Sequence, residues 1–567
     1  MEHHHRIAGA VLAGAFVIVG GCAVGCTSPA PPPADLVLVG PVITMDQERP
    51  RAEGLAARDG EVMIVGSERE VRRAIGPDTE VVVLPAGAVA VPGLIEAHGH
   101  FLGLGQARSQ LDLTPARTWG EIVDMVRIAA ETAPPDAWII GRGWHQEKWD
   151  SPPTRTVEGM PLHDDLSAAV ADHPVLLTHA SGHAALANAM ALELAGIGSD
   201  TPDPPGGEIV RHPDGRPTGI LRETAEELVT AVQDTGRGAA EVRRLAAVAT
   251  AEALANGITS FQDAGTSLDD LAVLRAMAEE GALGVRLWVM LSDETRALAQ
   301  ALPGVKVRRA GRGFLTVGGI KRWVDGALGS RGAWLLEPYT DAPESSGLAI
   351  TTAEELRRVG RLALENDLQL CSHAIGDRAN RVTLDVYEEL LAGTSDRRWR
   401  VEHAQHLDPD DLPRFAQLGV IASMQPVHCT SDGPWVEARL GEPRASLESY
   451  RWRDLLDSGA VVASGTDTPV EPVDPMATFT AAVTRRMADG RVFVGGQAMT
   501  RNEALASMTR DAAWAAFEED VKGVLSAGRY ADVTVLSADP STIPESRLAE
   551  IRVLSTVVAG RVAYPPR

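Results

Sequence analysis

The sequence predicts an α/β protein: a (β/α)8, TIM-like barrel with a small β-sandwich domain formed from both ends of the mature chain. Three observations carry that expectation. Eight strand-like segments recur along the middle of the chain, most of them separated by stretches of helical period. Repeated β-then-α order favours a parallel sheet, and eight repeats favour its closure into a barrel. The two flanks share another texture, short β-rich runs broken by Gly, Pro and Asp, which suggests that the ends fold together. At 567 residues the chain exceeds one ordinary domain and can hold a large core plus satellites.

Residues 1–21 read as a signal peptide of lipoprotein type. Arg6 precedes IAGAVLAGAFVIVGG, an apolar run of signal-peptide length and too short for a membrane span. It ends in VGGC at Cys22, with AVGC at Cys26 as a second candidate. Small residues before a cysteine resemble a bacterial lipoprotein cleavage box and predict lipidation there. Residues 22–34, with TSPAPPPA, form a Pro/Ala/Ser tether. The expectation is an exported protein, lipid-anchored to a membrane of the bacterial cell envelope, at its outer face or in the periplasm.

Residues 35–90 and 520–567 form the expected composite β domain, through DLVLVG, VITMD, EVMIVG and VVVLPAGAVAVPG, then ADVTVLS and IRVLSTVVAGRVAY. The barrel is expected over 91–519. Its strands are VAVPGLIEAHGH, GITSFQDAG, VRLWVML, LTVGGIKRWVDGAL, LQLCSHAIGD, WRVEHAQHL, GVIASMQPV and VVASGTDTPV. The gap at about 114–223 is too long for one crossover and reads as an insertion over the barrel mouth, with strands in DAWIIGRGW and HPVLLTHASGH.

A formal charge of -24 excludes nucleic acid as a partner, because a phosphate backbone needs basic patches. The cysteines are Cys22, Cys26, Cys371 and Cys429, too few and too scattered for a disulfide framework, although a Cys371–Cys429 bridge stays open.

The chemistry begins at His98-Gly99-His100. Residues two apart on a strand share a face, so both imidazoles can enter one coordination shell. His373, His403 and Asp467 each lie near the end of a predicted strand, and such C-terminal ends converge in a (β/α)8 barrel. Four histidines and an aspartate make a mixed N/O set suited to zinc or a related divalent metal. Lysine occurs only at positions 148, 306, 321 and 522, against abundant arginine. Lys321 on the fourth strand therefore suggests chemistry that needs a deprotonated amine, including a carbamate, with a salt bridge to Asp325 as the alternative. Trp144, His145, His183, Asp325 and His428 are candidate substrate contacts, with Trp144 equally a packing-core residue, while His406 reads as structural.

PGLIEAHGHF, IKRWVDGAL, SHAIGD, VEHAQH, SGTDTPV and GVLSAGRYADVTVL together resemble the metal-dependent amidohydrolase superfamily, in the branch containing N-substituted formamide deformylases and D-aminoacylase relatives. The likeness runs from about Asp35 to the C-terminus. It implies that His98 and His100 bind a first metal, that carbamylated Lys321 bridges to a second, and that His373 and His403 bind the second. It implies that Asp467 contacts the first metal and handles protons, with one or two metals per chain. One departure is Glu96, where the family pattern often has Asp. Family relatives are often homodimers. The expected activity is hydrolysis of a non-peptide, amide-type C–N bond of a small molecule by metal-activated hydroxide. Lactone or ester hydrolysis or isomerisation on the same barrel stays open, as does a non-catalytic ligand-binding lipoprotein.

Overall fold

The computed structural model describes residues 31–233, 238–305, 307–392 and 396–565. Cys22, the expected signal segment and the tether up to residue 30 lie outside the described residues. Eight parallel strands form the central sheet in the order of the chain: Leu94–Gly99, Ile258–Thr266, Arg286–Leu291, Leu315–Trp323, Gln369–Ala374, Arg400–His403, Ile421–Met424 and Val462–Ser464. Helices cover the outside and side chains fill the inside, so most positions are buried on both faces and read as near-continuous apolar runs. Gly318 shows how tight the filling is. A Cβ there would come within 2.0 Å of the Trp288 indole inside the barrel.

The helices follow from their periodicity. Ala353–Glu365 starts where the Thr352 hydroxyl caps the Glu355 amide, and it buries Leu356, Val359, Gly360 and Ala363, the i, i+3, i+4, i+7 face that TAEELRRVGRLALEN predicts.

The seam between the first and eighth strands is closed by the segment that follows the eighth. The Asp467 amide donates to the His98 carbonyl at 2.8 Å and the His100 amide to the Thr468 carbonyl at 2.7 Å. Glu96 stitches the same seam: its carboxylate accepts from the Thr466 amide at 2.7 Å and hydroxyl at 2.9 Å. Burial pushes the Glu96 carboxyl up to about 7 against those bonds. The departure from the family pattern is thus a structural tie, and Gly465 must be glycine-sized because a Cβ would reach 2.3 Å from Glu96 Oε1.

VAVPGLIEAHGH proves to be two strands. Val89–Pro92 pairs antiparallel with Val533–Leu536 in the small sheet, whereas Leu94–Gly99 belongs to the barrel. The chain changes sheet at Gly93, where a Cβ would lie 2.1 Å from Thr259 Oγ1. Both chain ends share one eight-stranded sheet, in which Leu36–Ile43 pairs with Arg51–Arg58, and Val553–Val558 and Arg561–Tyr564 form the far edge. Its two arms pack on each other through Leu38, Leu55, Val533, Val535 and Val557.

Between the first and second barrel strands lies a six-stranded sheet, running from Leu111–Asp112 to Pro217–Glu223 and including Ile139–Trp144 and Val175–His179. Cys371 and Cys429 are both free and buried.

Candidate active site at the barrel mouth

The C-terminal strand ends carry the ionisable cluster. His98 and His100 extend from the first strand, separated by the glycine that lets Phe261 and Thr468 approach. His403 and Asp467 have φ of 77° and 59°, in the left-handed region that few non-glycine residues adopt. That bend matters for His403. Strand alternation would send it outward after Glu402 points in, yet its ring lies 4.7 Å from that of His98.

His98, His403 and Asp467 each offer a ligand atom within 4.8 Å of the others. His98 Nε2 lies 3.4 Å and His100 Nε2 3.2 Å from Asp467 Oδ1. The His373 ring sits 4.4 Å from His403, and the His428 ring lies nearly parallel to His403 at 6.3 Å. Burial would raise the Asp467 carboxyl, but its contacts with His100 and His98 hold it well below the usual carboxylate range.

Second partners set which ring nitrogens are free. His98 donates Nδ1–H to Glu402, and His403 donates Nδ1–H to Gln425 Oε1 at 2.7 Å, so each ring keeps Nε2 as a lone-pair donor. Glu402 is gripped from below by Arg400, with Nε at 2.7 Å and Nη2 at 3.1 Å. Burial would raise the Glu402 carboxyl, but Arg400 and His98 keep it ionised far below the ordinary value. Glu402, Arg400 and Gln425 were not among the sequence candidates. The signal for the first two is a pair of charges at i and i+2 in an otherwise buried strand.

His98 Nε2, His373 Nε2, His428 Nε2 and Asp467 Oδ1 are all buried without a hydrogen-bond partner. Orphaned imidazole nitrogens beside a carboxylate are costly unless something fills the gap, and His98 Nε2, His373 Nε2 and Asp467 Oδ1 make an N/O donor set that fits a divalent cation. Lys321 Nζ is likewise buried and unpartnered, 5.1 Å from the Trp323 ring centre. Burial lowers its amine below the usual range, against the pull of Glu402 and Asp467.

The salt bridge to Asp325 is not formed. Asp325 accepts from the backbone amides of Trp334, Ile375 and Gly376 at 2.8–3.0 Å, and its Oδ1 lies 3.6 Å from His373 Nε2. Burial pushes its carboxyl up to about 8, and those three amides oppose that rise. It therefore organises the turn beneath His373. Trp144 is in the core of the insertion, its indole N–H donating to the Leu177 carbonyl at 2.8 Å. His406 is buried against Ser449.

Two chambers meet at the cluster. A chamber of about 510 Å³, its opening to solvent included, is lined by His145, His183 and His428 together with His373, His403 and Asp467. A wider cleft of about 1610 Å³ reaches His100, Lys321, Arg142 and Glu223. His183 borders both, its Nδ1 donating to Glu223 Oε2 at 2.8 Å and its ring 4.8 Å from His373. The insertion thus forms one wall of the site. Burial holds the His145 imidazole neutral, well below its ordinary value.

A barrel with histidines and an aspartate converging at its C-terminal face, beside an insertion that walls a small-molecule pocket, defines a metal-dependent hydrolase. The comparisons make this specific: residues 86–564 match the amidohydrolase family, and the chain belongs to it. It is 35% identical to the protein LONG AFTER FAR-RED 3 of Arabidopsis thaliana, over 95% of this chain and 93% of the relative. It is 32% identical to the amidohydrolase YtcJ of Bacillus subtilis, over 92% and 98% of the two chains. With the N-substituted formamide deformylase of Arthrobacter pascens it shares 28% over 94% and 98%. Among solved structures, a metal-dependent hydrolase from Pyrococcus horikoshii superposes with a TM-score of 0.73 at 28% identity, covering 90% of this chain and 99% of that one. The protein is a hydrolase acting on carbon–nitrogen bonds other than peptide bonds, and its fold uses a divalent metal and a small-molecule substrate.

Proposed function

We propose that the protein cleaves an amide-type C–N bond of a small molecule, an N-formyl, N-acyl or cyclic amide, with zinc held by His98, His100, His373, His403 and Asp467. The observation that carries this reading is the convergence of His98, His403 and Asp467 within 4.8 Å, with imidazole nitrogens left unpartnered beside it. A divalent ion held there supplies Lewis acidity and favours ionisation of a water at about neutral pH. Asp467 takes the proton from the attacking water and returns it to the departing nitrogen. His428, unpartnered beside Asp467 at 4.0 Å, donates to the substrate carbonyl oxygen as charge builds on it. Glu402 and Gln425 keep the two rings oriented. Lys321, buried and unpartnered, suits conversion to a carbamate that would bridge a second metal. The apolar N-terminal run and Cys22 support an exported, lipid-anchored enzyme.

The test is hydrolysis of a panel of formamides, N-acyl amines, cyclic amides, lactones and esters by zinc-reconstituted protein. C–N cleavage that disappears on chelation and in Asp467→Asn is the expected result. Turnover confined to lactones or esters would overturn the assignment of bond type.

A further inference from the structure

The helix that follows the seventh barrel strand, Pro426–Leu440, places His428, Asp432 and Trp435 at i, i+4 and i+7 on one face, and all three line the inner cavity. His428 marks the reaction end, its ring nearly parallel to that of His403. Trp435 marks the far end, its ring 5.7 Å from His145. Asp432 lies between them. Its Oδ2 accepts from the Gln405 amide at 3.1 Å and the Tyr450 hydroxyl at 2.9 Å, and its Oδ1 accepts from Ser431 Oγ at 3.4 Å.

These partners are neutral, and the nearby charges are committed elsewhere. Lys148 pairs with Glu471 at 3.5 Å, Arg439 pairs with Glu147 and Asp341, and Asp467 sits among the imidazoles. Among the described residues no cationic side chain makes an ion pair with Asp432. Burial pushes its carboxyl up, while His428 and Lys148 pull it back down. The cavity thus holds a carboxyl with no ion-pair partner of its own, Lys148 on the same lining being paired with Glu471, and Leu328, Ile375 and Val470 line the same space.

We propose that Asp432 is the receptor for a substrate ammonium group, so that the enzyme takes N-acylated small molecules carrying a second, cationic amine. A charge-assisted hydrogen bond to an ammonium supplies the direct ion-pair partner that Asp432 lacks, whereas a substrate carboxylate would meet like charge there. His428 and Asp432 are one helical turn apart, about 5–6 Å. The ammonium therefore lies a few bonds from the scissile group, and the carbons between them lie against Leu328, Ile375 and Val470. This assignment rests on the hydrolase reading of the site for which end of the cavity holds the scissile bond, but the receptor itself is testable without turnover.

The experiment is equilibrium binding of phenethylamine, phenylethanol and phenylacetate to zinc-loaded protein and to Asp432→Asn, with zinc content read on the same samples. Phenethylamine is expected to bind about tenfold more tightly than phenylethanol, and Asp432→Asn should erase that difference while leaving phenylethanol unchanged. Equal binding of amine and alcohol by the unsubstituted protein, which needs no variant to fold, would overturn the receptor. So would an amine preference that survives Asp432→Asn, or a preference for phenylacetate that survives it, which would shift recognition to Arg142 in the outer cleft. Zinc retained with no amine preference sinks the receptor alone. Amine preference without bound zinc sinks the catalytic reading and leaves the receptor standing.

Discussion

Replacing Glu402 by Gln removes one negative charge from the column Arg400–Glu402–His98 at almost constant volume. Two separable effects follow. Gln can still accept from His98 Nδ1, but it no longer neutralises Arg400, whose Nε and Nη2 lie 2.7 and 3.1 Å from the carboxylate. Breaking a buried pair this way costs about 3–5 kcal/mol of stability when the remaining charge has no other partner. Arg400 also donates to the Ala97 carbonyl at 2.7 Å and to Ser423 Oγ at 2.8 Å, so the expected loss lies at the lower end, about 3 kcal/mol. The second effect is on the metal. An ionised acceptor makes the imidazole a better ligand, and losing such a partner costs about 10–100-fold in affinity, or roughly 1.4–2.8 kcal/mol. The assay is competitive zinc titration against a chromophoric chelator, paired with urea unfolding of the metal-free protein. Weaker zinc binding of this size, with a fold that persists at low urea, is the expected outcome. Zinc affinity unchanged in a Glu402→Gln protein that is less stable would refute the reasoning and leave Glu402 as a structural ion-pair partner only.

Acidification should destabilise the fold through His179 and His406, which burial holds at about 3. Their folded pKa lies below the unfolded 6.5, so the unfolded state binds more protons, and the stability present above pH 6.5 is lost as pH falls towards 3. Each contributes about 2 kcal/mol of loss between pH 6.5 and 5; urea midpoints should show a shallower decline in His406→Gln. Trp144→Phe forfeits the bond to the Leu177 carbonyl and some packing, an expected cost of about 1–3 kcal/mol, with KM unchanged because the ring lies in the insertion core. Gly318→Ala drives a methyl to 2.0 Å from the Trp288 indole, and soluble yield together with near-ultraviolet circular dichroism should report a disrupted barrel.

The eight barrel strands were legible because a parallel strand buried on both faces reads as an unbroken apolar run. His98, His100, His373, His403 and Asp467 were legible because the fold places strand ends together. What escaped were relations that no local window contains. Glu96 meets Thr466 across 370 positions of sequence, so its role in the seam appears only in three dimensions. Glu402 was hidden beside the more conspicuous His403, although Arg400 and Glu402 two apart in a buried strand were the clue. Trp144 in GRGWHQEKW read equally as a pocket or a core residue; the register shift that skips Gly143, where Thr178 pairs with Arg142 but His179 with Trp144, puts its ring in the core with Ile139. Asp432 belongs to no motif in the sequence, and only the helix Pro426–Leu440, which continues through Pro434, sets it one turn from His428.

Metal content per chain, measured on zinc-replete protein and on His98→Ala, His403→Ala and Lys321→Ala variants, tests the central claim most directly. At least one metal per chain is expected in the unsubstituted protein, lost or weakened in both histidine variants, with a fall from two to one in Lys321→Ala if the lysine carbamate bridges a pair. Zinc retained in full by both histidine variants, or absent from the unsubstituted protein, would contradict the account.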